Sequence, residues 1–274
     1  MNQPTPLLCF IGGGNMARSL IGGLRQRGTP AERIRVAEPV AAARAALSEE
    51  FGVACFADAK QASEGSDCII LAVKPQVMRA VCTELAQHMA QPLLISIAAG
   101  ITSPQLDGWL GGQRRVVRCM PNTPALLGAG ATGLFANGAC TAADQQLAEH
   151  VLSAVGIAVW IEREAHMDAV TALSGSGPAY SFLLAEAMLA AAERQGLDPA
   201  AAQRLTAQTL LGAARMLSES SESASQLRQR VTSPGGTTQA AIETLQSGGF
   251  EALVDRAIEA ATRRGAELSI AAGG

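Results

Sequence analysis

Gly12-Gly13-Gly14-Asn15-Met16-Ala17 fits the pattern G-x-G-x-x-A. It follows a short apolar run and opens a helical pattern, the context in which such a turn binds the pyrophosphate of a dinucleotide. Gly12 permits the tight turn. Gly14 lets backbone approach the phosphates, which then sit on the N–H groups of Asn15 and Met16 at a helix start. Ala17 keeps helix and strand close. Glu38 ends the second apolar run. A carboxylate there accepts hydrogen bonds from the adenosine ribose and repels a 2′-phosphate, which favours NADH over NADPH; Arg44 stands near enough to compensate. A second set of residues has the makings of an anion cradle: Thr232-Ser233-Pro234-Gly235-Gly236-Thr237-Thr238, just before a helical pattern. Backbone N–H groups and hydroxyls without side-chain charge suit a small carboxylate. The same threonines could serve only as helix N-caps.

The elements that must hold these residues alternate along the first part of the chain. Apolar runs at 7–11, 34–37, 68–73, 93–97 and 116–120 read as buried strands, and 16–27, 41–50 and 76–88 as helices. This predicts a doubly wound parallel sheet of Rossmann type, an α/β fold. Ligands of such sheets bind beyond the carboxyl ends of the strands. Three further loops fall there: Val73-Lys74-Pro75-Gln76, Ser96-Ile97-Ala98-Ala99-Gly100 and Met120-Pro121-Asn122-Thr123-Pro124. Their small residues and prolines make a flat wall for a nicotinamide ring. After a last strand at 155–161 the pattern becomes wholly helical, at 165–173, 180–194, 200–217, 224–231, 238–246 and 251–270. The expected domains are 1–163, which binds dinucleotide, and 164–274, which is all-α. Helices at 183–192 and 205–216 are apolar on more than one face, which predicts burial between subunits.

Composition narrows the class. Of 274 residues 48% are hydrophobic and 16% charged, with a net charge of −3, so neither nucleic acid nor an anionic membrane is an expected partner. The six cysteines form no CxxC pair and read as reduced, buried thiols. No leader or long apolar span is visible, which reads as a cytoplasmic protein. No cluster of His, Cys, Asp and Glu has metal-ligand spacing, so no metal is expected. Of the histidines, only His166 stands near the expected domain junction.

Five segments together resemble pyrroline-5-carboxylate reductase, in that family's order and across residues 11–250: Ile11 to Ala17, Ala72 to Pro75, Met120 to Pro124, Leu173-Ser174-Gly175-Ser176-Gly177-Pro178-Ala179-Tyr180, and Val231 to Thr238. The resemblance implies NADPH- or NADH-linked reduction of Δ1-pyrroline-5-carboxylate to L-proline, the last step of proline synthesis. It implies a helical dimerisation domain and homodimers, often assembled further. It implies that Gly12, Gly13, Gly14, Asn15, Met16, Glu38, Ala72, Val73, Lys74, Pro75, Ala98 and Ala99 hold the cofactor. Ser233, Gly235, Gly236, Thr237 and Thr238 would hold the substrate, with Glu164 lining the pocket and Thr238 hydrogen-bonded to the ring nitrogen. Two positions depart from the family pattern, both at the adenosine end: Asp58-Ala59, where an asparagine is common, and Glu38, where a small polar residue is.

Other dehydrogenases fit less well. A β-hydroxyacid dehydrogenase needs a lysine in its helical domain, yet Lys60 and Lys74 are the chain's lysines. A short-chain dehydrogenase needs Tyr-x-x-x-Lys, and Tyr180 is followed at that spacing by Leu184. The alternatives that stay open are a reductase of a related cyclic imine and a non-catalytic NAD(P)H-sensing module.

Overall fold

A computed structural model describes residues 5–272. Its strands are β1 (Leu8–Ile11), β2 (Ile34–Ala37), β3 (Ala54–Phe56), β4 (Cys68–Leu71), β5 (Leu93–Ser96), β6 (Val116–Met120), β7 (Gly130–Ala136) and β8 (Gly156–Trp160). They form one sheet in the order β3-β2-β1-β4-β5-β6-β7-β8. The first six, ordered 3-2-1-4-5-6 and parallel, are the doubly wound dinucleotide-binding arrangement. Helices α1 (Asn15–Gln26), α2 (Ala41–Phe51), α3 (Ala59–Ser63), α4 (Pro75–Ala86) and α5 (Ser103–Trp109) make the crossovers.

The sheet is not parallel throughout. β7 runs antiparallel to β6, with Met120 opposite Gly133 and Val117 opposite Ala136. The connection from Met120 to Gly130 holds only a 3₁₀ turn, Thr123–Leu127. That is too short for a parallel crossover, so the chain must return antiparallel. α6 (Ala142–Ser153) then provides a crossover, and β8 pairs parallel to β7.

Alternate residues of β1, β2, β4, β5 and β6 feed two cores. Leu8 and Phe10 join Leu20, Leu24 and Val36 on one face, while Cys9 and Ile11 join Ile69, Leu71 and Met78 on the other. Burial on both faces is why these strands read as unbroken apolar runs.

The chain forms two compact units. One runs through Ser176 and takes back the segment from Ala260; the other is Gly177–Glu259. The first includes α7 (Met167–Val170), followed by a π-type turn, Thr171–Gly175. The second holds α8 (Gly177–Arg194), α9 (Pro199–Glu219), α10 (Ala224–Arg230), α11 (Thr237–Ser247) and the start of α12 (Phe250–Ala272). In this helical unit only Ala202, Thr206 and Leu227 are buried. Phe182, Leu183, Leu205, Leu211 and Leu253 are each more than half exposed. Helices this apolar have no core of their own within one chain. No described helix is long and apolar enough to cross a membrane.

Candidate functional site

The glycine turn sits where the sequence places it, between β1 and α1. Gly12 has φ +103, and its N–H donates to the Ala37 carbonyl at 2.8 Å. A Cβ there would stand 2.6 Å from the Ala72 carbonyl oxygen. Gly13 is equally confined, since its Cβ would lie 2.6 Å from Leu47 Cδ1. Gly14 differs: it is exposed, and a Cβ would meet no atom within 4 Å. It caps α1 without any side-chain hydrogen bond. The first N–H groups of α1, those of Asn15 and Met16 among them, therefore have no side-chain acceptor from the cap. Ala17 is buried against the strand.

Glu38 is already hydrogen-bonded within this turn. Its Oε2 accepts the Gly13 N–H at 3.0 Å and its Oε1 the Val40 N–H at 2.9 Å. Each oxygen keeps a further lone pair able to accept a second hydrogen bond. Arg44 Nη1 donates to the carbonyls of Glu38 and Pro39, at 2.7 and 2.8 Å, which ties its guanidinium to this strand end. Asp58 caps α3 by accepting the Gln61 N–H at 2.9 Å.

The three loops beyond β4, β5 and β6 follow one another along the sheet. Ala72 donates to the Ile11 carbonyl at 2.8 Å, so this loop and the glycine turn are one piece. Val73 lies beside Gly12, Lys74 is the exposed N-cap of α4, and Pro75 occupies its first turn. Ala98 is buried and Ala99 exposed. Asn122 joins two of the segments singled out in the sequence. Its Nδ2 donates to the Ser174 carbonyl and its Oδ1 accepts from the Ala131 N–H, both at 2.9 Å.

Glu164 has its carboxylate occupied by its own unit. Oε1 accepts the Ser103 N–H at 2.6 Å, Oε2 accepts the Ser103 hydroxyl at 2.6 Å, and Arg118 Nη1 lies 3.3 Å from Oε1. Sequence reasoning missed Arg118, Ser103 and Asp168. A signal was there: Arg118 is a charge inside the apolar run Val116-Val117-Arg118-Cys119-Met120.

In the helical unit, 232–238 forms a turn leading into α11. Gly235 has φ +69, and Gly236 is the N-cap, with no side-chain cap. The N-capping role open to Thr237 and Thr238 is thus not taken up. The glycine N–H groups are engaged, Gly235 to Gln239 Oε1 at 2.6 Å and Gly236 to the Ser233 carbonyl at 3.0 Å. What faces outward is the Thr237 and Thr238 N–H groups, without intrahelical acceptors, and the hydroxyls of Ser233, Thr237 and Thr238. These hydroxyls have no hydrogen-bond partner among the described residues.

The cysteines offer no nucleophile. All are free, and burial pushes the Cys9 and Cys82 thiols up to about 12 and raises Cys68 and Cys119 as well. They are neutral at physiological pH. His166 is exposed beside the Arg163 guanidinium. Among the described residues there is no group of three or more side chains able to hold a metal ion.

Two family profiles match. The one described as "Pyrroline-5-carboxylate reductase dimerisation" covers residues 164–268, and "NADP oxidoreductase coenzyme F420-dependent" covers 7–100. The Pseudomonas aeruginosa protein named pyrroline-5-carboxylate reductase is 54% identical over 97% of this chain and 97% of its own. Among solved structures, a pyrroline-5-carboxylate reductase from Coxiella burnetii superposes with a TM-score of 0.94 at 46% identity, covering 97% of this chain and 99% of that one. Plasmodium falciparum pyrroline carboxylate reductase with NADP bound gives 0.85 at 28% identity, over 98% and 100%.

Proposed function

The chain belongs to the pyrroline-5-carboxylate reductase family, and from that premise we propose which residues carry its reaction, the NAD(P)H-linked reduction of Δ1-pyrroline-5-carboxylate to L-proline. The observation that carries the assignment is the turn into α11, where the hydroxyls of Ser233, Thr237 and Thr238 and the N–H groups of Thr237 and Thr238 have no hydrogen-bond partner among the described residues. Ser233, Thr237 and Thr238 hold the substrate carboxylate, and Gly235 and Gly236 give the turn its shape. The carboxylate-bearing carbon is bonded to the ring nitrogen. A hydroxyl beside the carboxylate cradle therefore falls within reach of that nitrogen, and we assign this role to Thr238.

Gly12 and Gly13 shape the nucleotide turn, and Gly14, Asn15 and Met16 present N–H groups to the pyrophosphate. Glu38 receives the ribose, and Ala72, Val73, Lys74, Pro75, Ala98 and Ala99 wall the nicotinamide. When bound, the reduced nucleotide supplies the hydride. The protein's part is orientation: it holds a protonated imine, already a strong electrophile, with its carbon presented to the reductant. No strong acid is required in the cradle, and none is found in residues 232–238.

The dimerisation region makes the protein a homo-oligomer, which accounts for the apolar helices left exposed in one chain. We place the functional boundary at 163/164 and the protein in the cytoplasm. The deciding assay adds pyrroline-5-carboxylate to enzyme and reduced nucleotide; one proline should form per nucleotide oxidised. Nucleotide binding without turnover would point instead to a sensing module, and faster turnover of another cyclic imine to a different substrate.

Glu38 should set cofactor choice. In Glu38→Ser the ratio of kcat/KM for NADPH over NADH should rise about tenfold, equivalent to ~1.4 kcal/mol. An unchanged ratio would remove Glu38 from that role.

A further inference from the structure

Arg118 is the charged residue of β6 and its side chain is only 5% exposed. Its strand neighbours Val116, Val117 and Cys119 are buried and uncharged. A guanidinium in such a place is costly to desolvate, and an apolar replacement of a whole buried charge cluster often serves stability as well or better. Its neighbours show what it holds. Nη1 is 3.3 Å from Glu164 Oε1, and Nη2 is 3.8 Å from Asp168 Oδ1. The planar fork thus spans two carboxylates on the segment that leads into the 171–175 turn.

Glu164 carries the connection further, because its carboxylate also takes the N–H and hydroxyl of Ser103 at the start of α5. α5 directly follows the Ala98–Gly100 loop, and Gln105 of its first turn donates to the Ser269 carbonyl at 3.0 Å. Up the same strand from Arg118, Met120 Cε crowds Gly175, where a Cβ would be 2.6 Å away, and Asn122 binds the Ser174 carbonyl. The loop after β5 is thus tied to Arg118 through Ser103 and Glu164, while the strand that carries Arg118 also meets the π-type turn through Met120 and the loop after β6 through Asn122.

We propose that Arg118 is a positioning residue of the reductase reaction: through Glu164 and Asp168 it fixes the loops beyond β5 and β6 and the 171–175 turn as one frame against which the nicotinamide is oriented. This rests on the assignment of those loops to the cofactor. Arg118 touches neither reactant in this account. Its effect is on alignment, so it acts on kcat more than on nucleotide affinity, which the glycine turn supplies.

The test measures kcat, both KM values, nucleotide Kd and Tm for the full-length protein and for Arg118→Met, Arg118→Lys and Glu164→Gln. Arg118→Met should lower kcat about 10- to 100-fold while nucleotide Kd changes less than about threefold. Its Tm should fall as well, since Glu164 and Asp168 lose their counter-charge, but the loss in kcat should persist at assay temperatures well below that Tm. Arg118→Lys keeps a charge but not the fork and should recover only part of the loss. Glu164→Gln should lower kcat by itself and add nothing in the Arg118→Met background, because both break one hub. Folded variants with kcat within about twofold of wild type would overturn the proposal. So would losses that track Tm across the set and vanish at lower assay temperature. If Arg118→Met does not fold, Arg118→Lys and Glu164→Gln carry the same test. A wild-type protein that binds nucleotide but leaves pyrroline-5-carboxylate unreduced would sink the functional assignment instead, a distinct result.

Discussion

Gly12→Ala should weaken nucleotide binding by about 100-fold or more and lower stability as well. Two independent constraints act at this residue. Its φ of +103 lies where an L side chain is strained, at a cost of about 1–3 kcal/mol. The new Cβ would also stand 2.6 Å from the Ala72 carbonyl oxygen and 3.0 Å from its carbon. Ala72 cannot retreat cheaply, because its N–H is bonded to the Ile11 carbonyl at 2.8 Å. Relief must come from moving the glycine turn away from the end of β4, and that misplaces the N–H groups we assign to the pyrophosphate. Gly14→Ala separates the two effects. Its Cβ meets nothing of the protein, and its φ of −69 is ordinary, so stability should hold. Only the approach of the phosphates is obstructed. Titration of nucleotide fluorescence together with thermal melting reads both. A Gly12→Ala protein that binds within about threefold of wild type would show that this turn does not hold the dinucleotide.

That contrast shows what could be read from residues alone. The pattern Gly12-x-Gly14-x-x-Ala17 told where a tight turn must lie and where backbone must be bare, because both needs follow from having no Cβ. The doubly wound sheet was equally legible: strands buried on both faces leave unbroken apolar runs. β3, of three residues, and β7, Gly130-Ala131-Thr132-Gly133-Leu134-Phe135-Ala136, left no such trace. β7 opens on small residues because it must: Gly133 lies under Val170, and a Cβ on Gly130 would stand 2.9 Å from the Val155 carbonyl oxygen. The antiparallel turn of the sheet was therefore hidden with it. In the second unit, helices were readable from their spacing, and their apolar faces pointed beyond the chain, where only three residues are buried within it. The site divides along the same line. Segments that act through backbone and small side chains announce themselves by composition. The Arg118–Glu164–Ser103 hub does not, because its members are far apart in sequence and meet only through the register of β6 and the placement of α5.

Thr238→Ala should lower kcat/KM for pyrroline-5-carboxylate by about 10- to 100-fold and leave nucleotide affinity unchanged. Folding should be unaffected. Thr238 is the second residue of α11, its hydroxyl caps nothing, and alanine is the better helix former. Thr238→Val is the sharper variant, since it keeps the branched shape and the side chain's half-buried fit while removing only the hydroxyl. It should match the alanine variant. Thr238→Ser keeps the hydroxyl with more rotational freedom and should retain most of the activity. The pH profile then distinguishes orientation from proton donation. A hydroxyl that only aligns the imine nitrogen is un-ionised throughout the working range, so its loss should lower the plateau of kcat/KM without moving the profile's limbs. A shifted limb would mean that Thr238 takes part in proton transfer. Valine and alanine variants as active as wild type would show that the turn into α11 does not present the ring at all.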